Sequence, residues 1–191
     1  VAYISLAEAK AYLDVAALTD DALISDLIDE AQAWLEQETG RVFEAATESR
    51  YYDATLDAEN GELWLDKDLW SVTSITSNDG TTYTTSDYVL HPVNDRPYYM
   101  IKIRSDSTRA WDYDDYPEKA ITVTGRWGYS SSAPVDVQLA IKELVSYLYH
   151  ERSSHTFDVQ VMPGEGVMVV PQGFPRRALR TVQRYRRYSL I

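Results

Sequence analysis

Three short clusters hold residue types that could do chemistry, and none has the spacing that chemistry needs. His150-Glu151-Arg152-Ser153-Ser154-His155 sits near the two-histidine pattern of zinc proteases. That pattern needs His at i and i+4, so that both imidazoles share one helix face. Here they stand at i and i+5, about 140° apart on a helix of 3.6 residues per turn, which reads as two solvated histidines at a helix end. Asp112, Asp114 and Asp115 offer oxygens to a hard cation. The glycine and terminal bidentate Glu of a calcium loop are missing, so the stretch reads as a solvated acidic loop. Gly125-Arg126-Trp127-Gly128-Tyr129 lacks the Lys-Ser/Thr end of a phosphate loop. It reads as a strand end turning toward a helix, with Trp127 and Tyr129 packing at the junction. There is no Gly-x-Ser-x-Gly elbow. The absence of cysteine removes thiolate nucleophiles, thiolate metal sites and disulfides, and fits a cytosolic origin. No catalytic, cofactor or metal residue is assigned, and the expectation is a protein that is not an enzyme.

The strongest signal is one of charge. Residues 175–191 carry six arginines (Arg176, Arg177, Arg180, Arg184, Arg186 and Arg187) and no acid. The whole chain has a net charge of −12, so removing the tail's +6 leaves −18 on the other 174 residues. One-signed blocks are often interaction segments, because like charges repel until a partner neutralises them. The tail has three readings. It is a solvated basic helix, or a nucleic-acid binder with Tyr185 and Tyr188 stacking among arginines, or a helix docking into an acidic protein. In the last case Leu179, Val182 and Tyr185 form a narrow apolar stripe of anchors. That stripe favours protein docking. The acidic body argues against a nucleic-acid coat, since phosphate binding needs a basic face.

These residues must be positioned by a packed fold. The chain has 191 residues, 45% hydrophobic and 12% aromatic, enough for one domain or one domain with a large insertion. The aromatics are skewed to fifteen Tyr and five Trp against three Phe, types favoured at half-wet interfaces. No apolar run reaches the roughly 18 residues of a membrane span, and the first residues lack the pattern of a signal peptide.

Residues 5–14 read as a helix opened by the capping box Ser5-Leu6-Ala7-Glu8. Residues 20–39 read as a longer one, capped by Thr19 or Asp20 and stopped at Gly40. Its apolar stripe is Leu23, Leu27, Ala31 and Trp34, widened by Ile24, Ile28 and Leu35. Asp26, Asp29 and Glu30 lie on its polar remainder. Short β runs follow at 49–55, 62–65, 70–77, 81–89, 98–104 and 120–126, with turns at Glu59-Asn60-Gly61 and Asn78-Asp79-Gly80. They predict a small antiparallel sandwich or barrel, with a polar loop at 105–118. Pro134 opens a helix over 134–152. A hairpin over 158–171 has an arm, Val167-Met168-Val169-Val170, that is apolar on both faces and asks to be covered, which makes it a candidate interface between copies. A basic helix over 175–188 ends the chain. The expected class is α+β: a helical bundle core with an inserted β domain. The expected divisions are 1–47, 48–126, 127–157, 158–174 and 175–191.

Three segments carry a resemblance. The first runs from Ile4-Ser5-Leu6-Ala7-Glu8-Ala9-Lys10-Ala11-Tyr12-Leu13 through Asp20-Asp21-Ala22-Leu23-Ile24 and Leu27-Ile28-Asp29-Glu30-Ala31 to Trp34-Leu35-Glu36-Gln37-Glu38-Thr39-Gly40-Arg41. It resembles the opening of the tailed-bacteriophage head–tail connector (adaptor, or head completion) family. Gly125-Arg126-Trp127-Gly128-Tyr129, followed by Pro134-Val135-Asp136-Val137, resembles the strand-to-helix junction of long members with a β insertion. The ending from Val170-Pro171 through Leu179 to Tyr185-Arg186-Arg187 resembles the family's C-terminus. The matches cover about half the chain.

The resemblance implies a structural virion protein, assembled in the host cytoplasm and sited at the head–tail interface. It implies a ring, usually twelve-fold, under the portal protein, which extends the DNA channel and gives a stopper or tail-completion protein its seat. The tail residues Arg176, Arg177, Leu179, Arg180, Val182, Arg184, Tyr185, Arg186, Arg187 and Tyr188 would dock the portal, and the tail would order only there or in the ring. Asp26, Asp29 and Glu30 would face a channel through which DNA slides without tight binding, because an acidic wall does not grip phosphates. A ring needs two different adhesive faces on each copy. The alternative is a nucleic-acid-binding module using the arginine-rich tail. A third reading, a carbohydrate-binding β module, rests on Trp64, Trp70 and Trp111, for which packing in the core is the simpler account.

Overall fold

The computed structural model describes residues 2–154, 159–162, 166–169 and 175–187, with backbone alone for 153–154 and for the two segments between 159 and 169. The chain is α+β and divides into two compact units, Val1–Gly40 with Pro134–Ile191, and Arg41–Ala133.

The first unit is helical. Helix α1, Leu6–Leu13, has the expected capping box, with Ser5 accepting from the Glu8 amide and Glu8 accepting from the Ser5 amide at 2.9 Å. Helix α2 spans Asp21–Thr39. Asp20 is its N-cap residue but makes no side-chain cap bond. Gly40 ends it at φ 65°, a left-handed turn that lets its amide reach Glu36 O at 2.8 Å. The buried stripe is Ile24, Leu27, Ile28, Ala31 and Leu35, while Leu23 and Trp34 are only half-buried at its margin. Helix α3, Val135–Ser154, buries Val137, Ala140, Ile141, Leu144 and Val145. Helix α4, Arg176–Tyr185, buries Ala178, Thr181, Val182 and Tyr185.

Polar contacts fix the helix directions. Tyr149 near the end of α3 donates to Asp20 before α2 at 2.7 Å, so α2 and α3 are antiparallel. Lys10 pairs with Asp21, and the Tyr3 amide donates to Gln32 at 3.0 Å, so α1 runs against α2. No helix among the described residues is long and apolar enough to cross a membrane.

The second unit is a sheet. Its strands are β1 (Ala46–Tyr52), β2 (Ala58–Glu59), β3 (Glu62–Ser77), β4 (Thr82–Tyr83), β5 (Tyr88–His91), β6 (Tyr98–Ile103) and β7 (Ile121–Trp127). All pairings are antiparallel, in the order β1-β7-β3-β6-β5, with β2 and β4 also on β3. This corrects the sandwich or barrel expected above: one open sheet forms, with edges at β1 and β5. The reason lies in β3. The two runs expected at 62–65 and 70–77 are one sixteen-residue strand. Its first part pairs with β6 and its second with β7, with register shifts between Trp64 and Leu69 and again up to Ser74. One long strand with register shifts thus joins both halves into a single hydrogen-bonded sheet. The run expected at 81–89 is instead two short strands, β4 and β5. Between them the Thr84 amide donates to the Asp87 carboxylate at 2.8 Å and the Asp87 amide donates back to Thr84 O.

The sheet's core is Tyr52, Leu63, Leu65, Leu69, Ile75, Tyr83, Ile101, Ile121, Val123 and Trp127, with Trp111 from the 105–118 loop. In β7, Ile121, Val123, Gly125 and Trp127 face inward by strict alternation. Gly125 is required there, because a Cβ would lie 2.3 Å from Ser71 O on β3. Strands β8 (Val159–Met162) and β9 (Gly166–Val169), which lie outside the second unit, form the expected antiparallel hairpin.

Candidate docking surface

No three His, Asp or Glu converge among the described residues in a way that could hold a metal ion. His150 Nδ1 lies 2.7 Å from the Ser146 carbonyl, and His155 is outside the described residues. The acidic loop is tied to the sheet. The Asp112 amide donates to Tyr83 Oη at 3.3 Å, the Asp114 amide donates to Asn78 Oδ1 at 2.9 Å, and Ser77 donates to Asp112 O. Trp127 is buried, donates Nε1–H to Glu48 O at 3.0 Å and carries Arg50 over its ring. Tyr129 packs near Phe43, with Arg41 over it. The three candidate carbohydrate tryptophans do not form one platform. Trp111 is core, packed on Tyr83 at 4.9 Å, and Trp70 is half-buried under Arg96. Trp64 is 43% exposed and stacks on Tyr99.

The arginine-rich segment builds the most distinctive surface. Three small or apolar positions and one tyrosine at helical spacing (Ala178, Thr181, Val182 and Tyr185) turn one face of α4 onto its own unit. Tyr185 Oη contacts both oxygens of Asp136, at 2.9 and 3.0 Å. Arg184 donates to the same carboxylate at 3.0 Å, and Arg177 pairs with Glu143 at 3.1 Å. Tyr185 near Asp136 and Arg177 near Glu143 set α4 antiparallel to α3. Beyond the helix, the Arg187 amide donates to Thr39 O at 2.8 Å, satisfying a carbonyl at the end of α2. The tail was expected to order only on a partner; instead α4 is packed within the single chain, because its apolar face has a home there.

The predicted docking residues therefore split. Val182 and Tyr185 are buried, and Arg177 and Arg184 are exposed but paired. Arg176, Leu179, Arg180 and Arg186 are exposed, and Leu179 at 43% is one of the exposed large apolar residues. Arg187 is half-buried, and Tyr188 lies outside the described residues. Of the candidate ring residues, Val167, Met168 and Val169 form β9, described by backbone alone, and Val170 lies outside the described residues. Asp26, Asp29 and Glu30 are all exposed on α2. The residues that sequence reasoning missed are Asp136 and Glu143, the acids that hold α4. Their signal was present in the helix face of α3, but it identifies no partner without the fold.

Comparison with known proteins gives a consistent result. A family model described as head completion protein matches residues 2–188. Among curated proteins none matches the chain. Among solved structures, the chain is similar to a subunit in "Neck of empty GTA particle computed with C6 symmetry", with a TM-score of 0.63 and 14% identity. The match covers 99% of this chain and 92% of that one. It is also similar to one in "Neck of native GTA particle computed with C12 symmetry", at 0.61 and 17%, covering 99% and 91%. A third, in "Virion of native gene transfer agent (GTA) particle", gives 0.60 and 16%, covering 99% and 92%.

Proposed function

The chain belongs to the head completion protein family, and we propose that it is a non-enzymatic structural protein of the virion neck. In this reading it forms a ring under the portal, extends the DNA channel and seats a stopper or tail-completion protein. The observation that carries the reading is the family match across residues 2–188. The shared fold with neck subunits of gene transfer agent particles, one of them in a twelve-fold reconstruction, supports the ring.

Portal docking belongs to the end of the tail, from Arg186 onward. Val182 and Tyr185 are spent inside the helical unit, and Arg177 and Arg184 already have acidic partners. The hairpin arm 167–170 serves contacts between copies. The acidic body lets DNA pass because its net charge of −18 repels phosphates more than it grips them. The test is co-purification with portal rings. A chain ending at Tyr185 should keep its helical circular dichroism and lose portal binding, and undiminished binding would overturn the assignment.

A further inference from the structure

Two helices of the first unit carry opposite charges on faces that no described residue covers. On α4, Arg176, Leu179, Arg180 and Gln183 recur at i, i+3, i+4 and i+7 and are all exposed. On α2, Ala22, Asp26, Asp29, Glu30 and Ala33 recur at helical spacing and are all exposed. Each face points away from the side on which its helix buries Val182 or Leu27. Among the described residues, Arg176, Arg180, Asp26, Asp29 and Glu30 take part in no ion pair. Arg176 and Arg180 are four residues apart, and so are Asp26 and Glu30, so both pairs are spaced by about 6 Å along their helices. Alanines flank the acids and allow a close helix approach, at about 8–10 Å between axes. Leu179 would find apolar cover on them.

We propose that the outer face of α4 docks on the outer face of α2 of a second copy of this chain. The contact is heterologous: a cationic ridge on one copy meets an acidic face on the next. Repetition of such a contact closes a ring if the rotation allows. The inference rests on the ring reading above and assigns its seam. It moves Asp26, Asp29 and Glu30 from a channel wall to the boundary between copies. Portal docking stays with the end of the tail.

Charge reversal tests it. One variant carries Asp26→Lys and Glu30→Lys, the other Arg176→Glu and Arg180→Glu. All four positions are exposed, and circular dichroism confirms that each variant is folded. Each reversed face repels its normal complement, so by mass photometry at low salt each variant alone should show at least a tenfold loss of assembled protein. Mixed one to one, the two should co-assemble into alternating rings, because each reversed face now matches the other variant. Wild-type rings should come apart near 1 M NaCl, where the Debye length is about 3 Å. If wild type forms rings and both variants assemble equally well, or the mixture stays unassembled, the seam is wrong and the ring stands. If wild type stays monomeric at every salt, with and without portal rings, the ring reading falls and the seam with it.

Discussion

Single carboxylates do much of the positioning in the helical unit, and each can be probed alone. Asp136 accepts from Tyr185 and Arg184 at the start of α3, where the helix dipole favours a negative charge. Tyr185→Phe keeps the buried ring and removes the hydroxyl, so it should lower stability by about 1 kcal/mol in urea unfolding. A loss near zero would mean that the hydroxyl does not anchor α4. Glu8 is held down to about 2, from an ordinary 4.5, by the Ser5 amide first, then the Ser5 hydroxyl and Lys142. A carboxylate whose folded pKa is depressed contributes fully above 4.5 and loses that contribution as pH falls toward 2. Glu8→Ala should therefore destabilise the protein at pH 6 and leave it little changed relative to wild type near pH 2. Equal destabilisation at both pH values would show that the charge is not involved. Burial, then its bond to Asp66, pushes Tyr52 well above the usual tyrosine range, so its hydroxyl remains a donor at any working pH.

At the scale of elements, the helices were legible and the sheet was only partly so, for identifiable reasons. Ser5-x-x-Glu8 and Gly40 are local devices, and they act where the sequence places them. The β3 strand hid behind Asp66-Lys67-Asp68, a charged run that reads as a break. In the fold Asp68 is buried against Arg41 at 2.6 Å, and Asp66 meets Arg50 and Tyr52. The partners lie 27, 16 and 14 residues away, beyond the reach of local pattern. The loop at 105–118 was expected to be polar, with core packing the simpler account of Trp111, and Trp111 does plug the sheet core from it. The tail's apolar stripe was expected to anchor on another protein, whereas Val182 and Tyr185 are buried on the chain's own helical unit. Two substitutions test the sheet. Gly125→Ala forces a Cβ against the Ser71 carbonyl and should cost about 3 kcal/mol of stability. Trp111→Ala should cost about 3–5 kcal/mol by emptying a core position, measured by thermal or urea unfolding. If Trp111→Ala were neutral, the loop would be a surface feature rather than a lid on the core.

At the scale of the whole molecule, charge distribution separates a docking protein from a nucleic-acid binder. The bare sequence shows six arginines against a body of −18. The fold shows that they are not six free charges. Arg177 and Arg184 face Glu143 and Asp136, and the outer ridge presents Arg176 and Arg180. Each phosphate neutralised contributes about −0.9 to the salt slope of duplex binding, so two to four contacts give a shallow slope and weak affinity. The net charge of −12 then works against approach to DNA at long range. The chain should therefore show no submicromolar binding to duplex DNA in a gel shift near physiological salt. Tight binding with a slope of −5 or steeper would require the paired arginines to leave their acids for phosphates, and would restore the nucleic-acid reading. With the expected result, the same arginines find better partners among carboxylates. Those on α2 present charges at the matching helical spacing, and a neighbouring copy can bring them within reach without exposing any of the core that α4 buries.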